Sequence, residues 1–154
     1  MKIEPKHNAM AEALSQARRA FEADEVPVGA VITHHPSGRI LAAAHNETEQ
    51  RQDCTAHAEM LVIRAAQKAL GGKSLADCDL WVTLEPCAMC AGALAHARIR
   101  RIYYGASDEK GGAIDNGAHI FNLPTTHHKP EIYGGLSQAE SAELLRRFFQ
   151  SKRA

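Results

Sequence analysis

The chain has 154 residues, of which 45% are hydrophobic and 23% are charged, and its 18 basic side chains balance 18 acidic ones. These values fit a single globular domain over residues 1–154 and exclude a disordered, collagenous or coiled-coil protein. Balanced charge also excludes binding of nucleic acid by bulk attraction, because that affinity comes from basic side chains that neutralise phosphates. An RNA would have to bind a local basic patch, and we expect no binding to DNA.

The sequence gives no sign of membrane insertion or export. It holds no stretch of about 18 consecutive apolar residues, and residues 1–6 lack the apolar segment of a secretory signal. We therefore expect a cytoplasmic protein without membrane contact. In that compartment the four cysteines, at positions 54, 78, 87 and 90, favour metal ligation or redox chemistry over disulfide bonds.

The first third of the chain predicts a helix followed by a β-hairpin. Apolar residues at three- and four-residue spacing favour an amphipathic helix within residues 7–24. β-Branched residues favour a strand over Val26–His34, and a second strand, Arg39–His45, follows a turn at residues 35–38.

Helices and strands are predicted to alternate along the rest of the chain. The predicted helices are His57–Leu70, Ala88–Ala97 and Ser137–Phe149, and the predicted strands are Asp79–Leu84, Arg101–Tyr104 and Glu131–Tyr133. Pro86 is expected in the first turn of the second helix, where proline is accepted, and residues 105–129 are predicted to form a long functional loop. The order predicts an α/β fold, with helices flanking one mixed sheet whose later strands are parallel.

Two short motifs, His57-Ala58-Glu59 and Pro86-Cys87-Ala88-Met89-Cys90, each open a predicted helix. A helix N-terminus carries partial positive charge, which favours thiolates over thiols. Cys87 and Cys90 are three residues apart and therefore share one helix face. With His57 as the third ligand they predict a site of two sulfurs and one nitrogen with its fourth position open to water, as is typical of catalytic zinc.

Glu59 lies two residues beyond His57 and is not needed as a ligand. Beside a zinc-activated water, a carboxylate takes the proton of the water and passes it to a leaving group. This chemistry suits the hydrolytic removal of an amine. The pairing of His-x-Glu with Pro-Cys-x-x-Cys is the known signature of zinc-dependent nucleobase deaminases.

Two other interpretations of the cysteines remain open at this point. Cys87 and Cys90 could form a redox pair, although such a pair does not require a His-x-Glu partner. Alternatively, Cys54 could join His57, Cys87 and Cys90 in a closed structural site without room for water. The closed site leaves Glu59 without a role, so Cys54 is interpreted as a free thiol near the pocket and Cys78 as a small buried residue.

Basic and aromatic residues near the end of two predicted elements are candidates for RNA contact. Two basic stretches are candidates, the run Arg98–Arg101 and the pair Lys152-Arg153. Each either binds phosphates or forms a solvated face. Phe148 and Phe149 are adjacent, about 100° apart on a helix, and cannot both point inward. One of them is therefore available as a stacking surface for a base.

The sequence resembles the bacterial tRNA-specific adenosine deaminases of the cytidine deaminase superfamily, over about residues 8–153. The segments that carry the resemblance are Glu25–Val31, Thr55–Glu59, Leu80–Gly92, Gly105–Asp108 and the terminal Phe148-Phe149 with Lys152-Arg153. The Glu-Val-Pro-Val-Gly-Ala-Val opening and the double phenylalanine are similar to the tRNA enzymes. Related guanine deaminases tend to have Pro-Phe-Gly-Ala at that opening instead.

The resemblance implies a three-layer α/β/α sandwich with a central mixed five-stranded sheet, and a homodimer with one zinc ion per subunit. It implies zinc on His57, Cys87 and Cys90, proton transfer by Glu59, and conversion of the wobble adenosine of an arginine tRNA to inosine. It also implies that Asn46 contacts the flipped base and that Asp108 contacts the neighbouring ribose. Val28 would form part of the wall of the base pocket, and Phe149 would lie in the helix that touches the anticodon loop.

Two other functions compete with this one. The same zinc motifs suit a deaminase of free nucleobases or nucleosides, of the guanine or cytosine type, because the motifs do not select the substrate. A non-catalytic, zinc-stabilised RNA-binding or scaffold subunit is the third possibility. Glu59 argues against that third possibility, since a structural site has no use for an acid/base group at this spacing.

Overall fold

A computed structural model describes residues 5–153 as a five-stranded sheet between two layers of helices. The helices are α1 (Pro5–Glu22), α2 (Thr48–Arg51), α3 (Ala58–Leu70), α4 (Ala88–Ala97) and α5 (Gln138–Arg153). The strands are β1 (Gly29–His34), β2 (Arg39–His45), β3 (Cys78–Leu84), β4 (Arg101–Ala106) and β5 (Glu131–Tyr133). None of the described helices is long and apolar enough to cross a lipid bilayer.

The sheet is mixed, with the strand order β2-β1-β3-β4-β5. Strand β1 is antiparallel to both β2 and β3, whereas β3, β4 and β5 run parallel to one another. The tight turn at residues 35–38 explains the antiparallel hairpin, since only a crossover connection such as α4 can return the chain parallel to β3. The predicted mixed sheet with parallel later strands is confirmed.

The two faces of the sheet pack against different helices. Helices α3 and α4 cover the face that carries Ile32, Leu80 and Val82, while α1 covers the face that carries Val31 and Trp81. Alternation of neighbouring residues between the two cores follows from the two-residue period of a strand. Helix α5 contacts α1 and β4 and completes the second helical layer, so the predicted α/β/α sandwich is confirmed.

Strand β1 begins at Gly29 rather than at the predicted Val26. A Cβ atom added to Gly29 would lie 2.0 Å from the Ala13 carbonyl oxygen of α1. Helix α1 therefore packs directly on the backbone here, which only glycine permits. The preceding residues turn instead of pairing, with the Val28 N–H donating to the Val26 carbonyl, and this turn directs Val26 and Val28 towards a cavity.

The expected position of Pro86, in the first turn of the helix, is wrong by two residues. Helix α4 begins at Ala88, with Cys87 as its N-cap, so Pro86 precedes the helix. The short helix α2 was not predicted, because its four residues carry no apolar periodicity. Strand β4 extends to Ala106, and the long connection after it contains a 3₁₀ turn at Ile120–Asn122.

Candidate active site

Three side chains that could bind a metal ion meet where α3 and α4 begin. His57 and Cys87 are the N-cap residues of these helices, both with extended backbone, and Cys90 lies one turn into α4. The His57 Nδ1 atom is 3.7 Å from the Cys87 Sγ and 3.5 Å from the Cys90 Sγ. All three ligand atoms lie within 4.8 Å of one another. The structure thus brings together the three side chains predicted as metal ligands.

The donor set itself fits a zinc ion. Two sulfurs and one imidazole nitrogen are soft to intermediate ligands that suit zinc and leave one position of a tetrahedron unfilled. A hydrogen bond from the Cys90 thiol, with further help from His57, lowers the pKa of Cys87 to about 4, although burial opposes this. Cys87 is therefore a thiolate at neutral pH, the form that binds metals.

Cys54 does not belong to this group. It is exposed, and among residues 9–153 the metal-capable cluster comprises His57, Cys87 and Cys90 alone. The geometry therefore favours the open three-ligand arrangement over the closed site with a third cysteine. Cys78, in contrast, is fully buried, and burial raises the pKa of its thiol to about 11.

We expect Cys54→Ser to leave both metal content and activity within about twofold of wild type, because an exposed thiol outside the cluster contributes little. Zinc stoichiometry by atomic absorption and steady-state turnover test this expectation. Loss of the metal in Cys54→Ser would instead show that the site is closed by a fourth protein ligand.

Glu59 lies in the first turn of α3 with only 4% of its surface exposed. It lines one cavity together with His57 and Cys87. Burial raises the pKa of Glu59 to about 7, since desolvation disfavours the charged carboxylate. A carboxyl group with a pKa near the working pH accepts and donates protons with similar ease, which is the property required of a proton shuttle.

The cavity has a volume of about 290 Å³, at the small end of ligand pockets. It therefore admits one base-sized group. Its lining includes three of the four residues expected to contact substrate, namely Val28, Asn46 and Asp108. Turns, α2 and the end of β3 supply lining residues that the sequence patterns did not single out, namely Val26, Thr48, Leu84, Glu85 and Gly111.

Asn46 links the cavity to the start of α3. Its Oδ1 atom accepts a hydrogen bond of 2.7 Å from the Ala58 N–H, one of the donors left without a partner at a helix N-terminus. Because the oxygen is used in this way, the amide nitrogen is the part of Asn46 that is left to donate to a ligand.

Asp108 lies in a turn at the rim of the cavity. Its Oδ1 atom accepts hydrogen bonds from the N–H groups of Lys110 and Gly111, at 3.2 and 2.9 Å. A carboxylate has two oxygens with about four acceptor positions, so this turn leaves acceptor capacity for a ligand hydroxyl.

Phe149 is not in the cavity. It lies on α5 with 44% of its surface exposed, whereas Phe148 is 6% exposed and packs against Phe21. Phe148 and Lys152 line an adjoining cleft of about 780 Å³, which shares Val26 and Thr48 with the cavity. The structure therefore separates the two phenylalanines as expected for adjacent helix positions, and Phe149 is the exposed ring.

Most of the basic candidates already have acidic partners. Arg100 contacts Asp79 at 3.1 Å, Arg101 contacts Glu131 at 3.1 Å, and Lys152 pairs with Asp24. The run Arg98–Arg101 is therefore not a free phosphate-binding patch. This pairing favours the solvated-face interpretation of that run.

Two buried carboxylates that the sequence patterns missed hold the edges of the cavity. Glu25, 1% exposed, accepts hydrogen bonds from the Glu49 and Gln50 N–H groups of α2, at 3.1 and 2.7 Å. Glu85 binds the segment after β4 in the same manner. The available signal was an acidic residue beside the apolar residues of a predicted strand, Glu25 before Val26 and Glu85 after Leu84.

Comparison with known proteins agrees with this geometry. A family described as MafB19-like deaminase matches residues 4–153. A tRNA-specific adenosine deaminase of Agrobacterium fabrum is 55% identical over 141 residues, which cover 92% of this chain and 91% of the relative. The chain belongs to the tRNA-specific adenosine deaminase family. The resemblance inferred from its motifs is thereby confirmed.

Solved structures extend the comparison to this deaminase's fold. A structure from a study of A-to-I editing by tRNA:A34 deaminases at the wobble position is 53% identical, with a TM-score of 0.88, and covers 90% of this chain and 99% of that chain. A guanine deaminase of Bacillus subtilis is 31% identical, with a TM-score of 0.63, and covers 96% and 92% of the two chains.

Proposed function

We propose that this deaminase converts the adenosine at the wobble position of a tRNA anticodon to inosine, with an arginine tRNA as substrate. The observation that carries the proposal is Glu59, buried in a base-sized cavity beside the His57, Cys87 and Cys90 donors. Similarity to tRNA-specific adenosine deaminases over nearly the whole chain supports the choice of substrate. A cytoplasmic location follows as part of the same proposal, since the substrate is a tRNA.

His57, Cys87 and Cys90 would hold one zinc ion per chain. Zinc in such a site supplies the Lewis acidity that makes water nucleophilic near neutral pH. Glu59 accepts a proton from the water that attacks C6 of adenine and delivers a proton to N1. Glu59 then accepts the remaining proton of that water from the C6 hydroxyl and delivers it to the amino group, which leaves as ammonia as the C6 carbonyl forms, so that the net reaction is hydrolysis of the C6–N6 bond.

Different cavity residues contact different parts of the nucleotide. The Asn46 amide nitrogen donates to the base, and the apolar Val28 side chain packs against the ring. The acceptor capacity of Asp108 suits a hydroxyl of the neighbouring ribose, and the exposed Phe149 ring offers a stacking surface for a further base of the loop. An anticodon loop already exposes its bases, so placing one in the cavity costs little unstacking energy.

The test is a deamination assay of the zinc-loaded protein with Glu59→Ala as the inactive control. The substrates are an arginine-tRNA anticodon stem-loop with a wobble adenosine, the same stem-loop with guanosine at that position, and free adenosine, cytidine, cytosine and guanine. The proposal is supported if inosine forms in the adenosine stem-loop and none of the other substrates is deaminated. Ammonia from a free base with the RNA unchanged would contradict it and favour a nucleobase deaminase, as the similarity to a guanine deaminase allows.

We also propose that the protein is a homodimer that pairs through α4. The sequence of α4, AMCAGALAHA, carries no acidic, lysine or arginine residue, yet Ala88 is exposed and Met89 and Ala93 are only half-buried. A helix that is apolar on all sides is usually covered on all sides.

Gly92→Asp is expected to convert the dimer to a monomer. A Cβ atom at Gly92 meets no atom within 4 Å in the single chain, so the variant should fold but place a charge in the interface. Light scattering should report 16.8 kDa for Gly92→Asp and twice that mass for wild type and for the control Gly72→Asp, whose site is equally open. A wild-type monomer, or a dimeric Gly92→Asp, would contradict the proposal.

A further inference from the structure

Glu85 is a buried carboxylate at the centre of a hydrogen-bond cluster. It directly follows β3 with 2% of its surface exposed. Six hydrogen bonds reach its two oxygens, and all of them come from the segment of residues 107–116. We call this stretch the rim segment, because it carries Asp108 at the edge of the cavity.

The donors are shared evenly between the two oxygens. Glu85 Oε2 accepts the backbone N–H groups of Ile114, Asp115 and Asn116 at 3.1, 2.9 and 3.1 Å. Glu85 Oε1 accepts the Asp108 N–H at 3.0 Å, the Asn116 Nδ2 at 2.7 Å and the Ser107 hydroxyl at 3.3 Å. Only an ionised carboxylate can accept from all of these donors at once, because it carries no hydrogen of its own.

The rim segment is shaped to enclose the carboxylate. A Cβ atom at Gly112 would lie 2.5 Å from the Glu85 carboxyl carbon and 2.6 Å from its Oε2. Any residue other than glycine at position 112 would push the segment away from Glu85. The backbone therefore approaches the carboxylate as closely as it does because position 112 has no side chain.

These contacts exclude a proton-transfer role for Glu85, although it lines the same cavity as Glu59. Its acceptor positions are occupied by protein donors, whereas a general base needs a free lone pair facing the substrate. Its hydrogen bonds instead fix the Asp108 backbone directly, through the Asp108 N–H.

We propose that Glu85 is a positioning residue that holds the rim segment in place and thereby sets how tightly the ribose beside the target base is bound through Asp108. This inference rests on the proposed function, since it assigns Asp108 to the substrate. Glu85 and Glu59 then have separate tasks: Glu85 determines binding of the polynucleotide, and Glu59 determines the chemical step.

The first test compares Glu85→Gln with Glu109→Gln, an exposed carboxylate on the same segment. Because the glutamine amide places hydrogens against the backbone donors, we expect KM for the stem-loop to rise about tenfold, with kcat within about threefold of wild type. Zinc content and Tm of the metal-loaded protein serve as folding controls, and Glu109→Gln should match wild type. A fall in kcat with KM unchanged would overturn the proposal.

The second test asks whether Glu85 acts through Asp108. In a double-mutant cycle, Asp108→Ala should raise KM on its own, and Glu85→Gln should add less than about twofold to it. Fully additive effects would show that Glu85 acts elsewhere. If Glu85→Gln fails to fold, Gly112→Ala replaces it, because this change displaces the rim segment while Glu85 stays intact; a wild-type KM for Gly112→Ala then overturns the proposal.

Hydrogen exchange separates this inference from the proposed function, because it needs no substrate. The amides of Asp108, Ile114, Asp115 and Asn116 should exchange faster in Glu85→Gln than in Glu109→Gln. Equal exchange rates in Glu85→Gln and Glu109→Gln would overturn the inference even if the stem-loop is edited. If exchange is faster in Glu85→Gln but the wild-type protein does not edit the stem-loop, the substrate assignment is overturned, and with it the role of Asp108. Glu85 would still be the residue that anchors the rim segment.

Discussion

Replacing Glu59 with glutamine reduces turnover of the stem-loop by about 10²–10⁴-fold, the range that general acid–base catalysis supplies. Glutamine keeps the shape and polarity of the side chain but cannot accept or deliver a proton. Since Glu59 lies in the first turn of α3 and is not part of the metal-capable cluster of three side chains, we expect zinc content to stay at one per chain. The loss should therefore appear in kcat, with KM close to wild type.

Single-turnover kinetics with excess enzyme measure this effect without interference from product release. Glu22→Gln, at an exposed position on α1, is the matched control and should show wild-type rates. If Glu59→Gln keeps wild-type kcat, Glu59 is not the proton shuttle, and another group must transfer the protons.

Replacing Cys87 with alanine removes both the metal and the activity. Cys87 is the thiolate of the cluster, with a pKa lowered to about 4, and without it one sulfur and one nitrogen remain. Two donors hold zinc far more weakly than three, so we expect less than about 0.1 zinc per chain after dialysis and a loss of turnover of at least about 10³-fold.

Thermal unfolding gives a second readout for Cys87→Ala. A metal that binds the folded chain stabilises it by mass action, so the Tm of wild type should rise with added zinc while the Tm of Cys87→Ala should not. Cys54→Ser is the matched control, since it also removes a thiol, and it should respond to zinc as wild type does. A Cys87→Ala variant that retains stoichiometric zinc and activity would show that Cys87 is not a ligand.

Most helices and strands were predictable within a few residues because their signals are local. Helix α3 ends at Leu70, its C-cap residue Gly71 has a φ of +75°, and glycine is the residue that adopts this conformation at low cost. The hairpin turn at residues 35–38 was marked in the same way by proline and glycine. Errors arose where a distant element intervenes, as at Gly29, where the approach of α1 determines the start of β1.

The grouping of His57, Cys87 and Cys90 near Glu59 was also predictable, because each motif places its side chains within one helical turn of an N-terminus. The partners of Glu25 and Glu85 were not. The donors to Glu85 are 22 to 31 residues away in sequence, and those to Glu25 are 23 to 25 residues away. No spacing rule connects residues at such distances when a turn or crossover lies between them.

The sequence by itself therefore indicated which side chains group as candidate zinc ligands, which one is proposed to transfer protons, and that helices alternate with strands. These properties depend on residue type and on spacing within one turn of helix or one strand. Only the tertiary structure decided the order of the strands, the size of the cavity, the separation of Phe149 from it, and the enclosure of Glu85 by the rim segment. Such features depend on contacts between distant segments, whose geometry is fixed when the sheet and the two helical layers pack together.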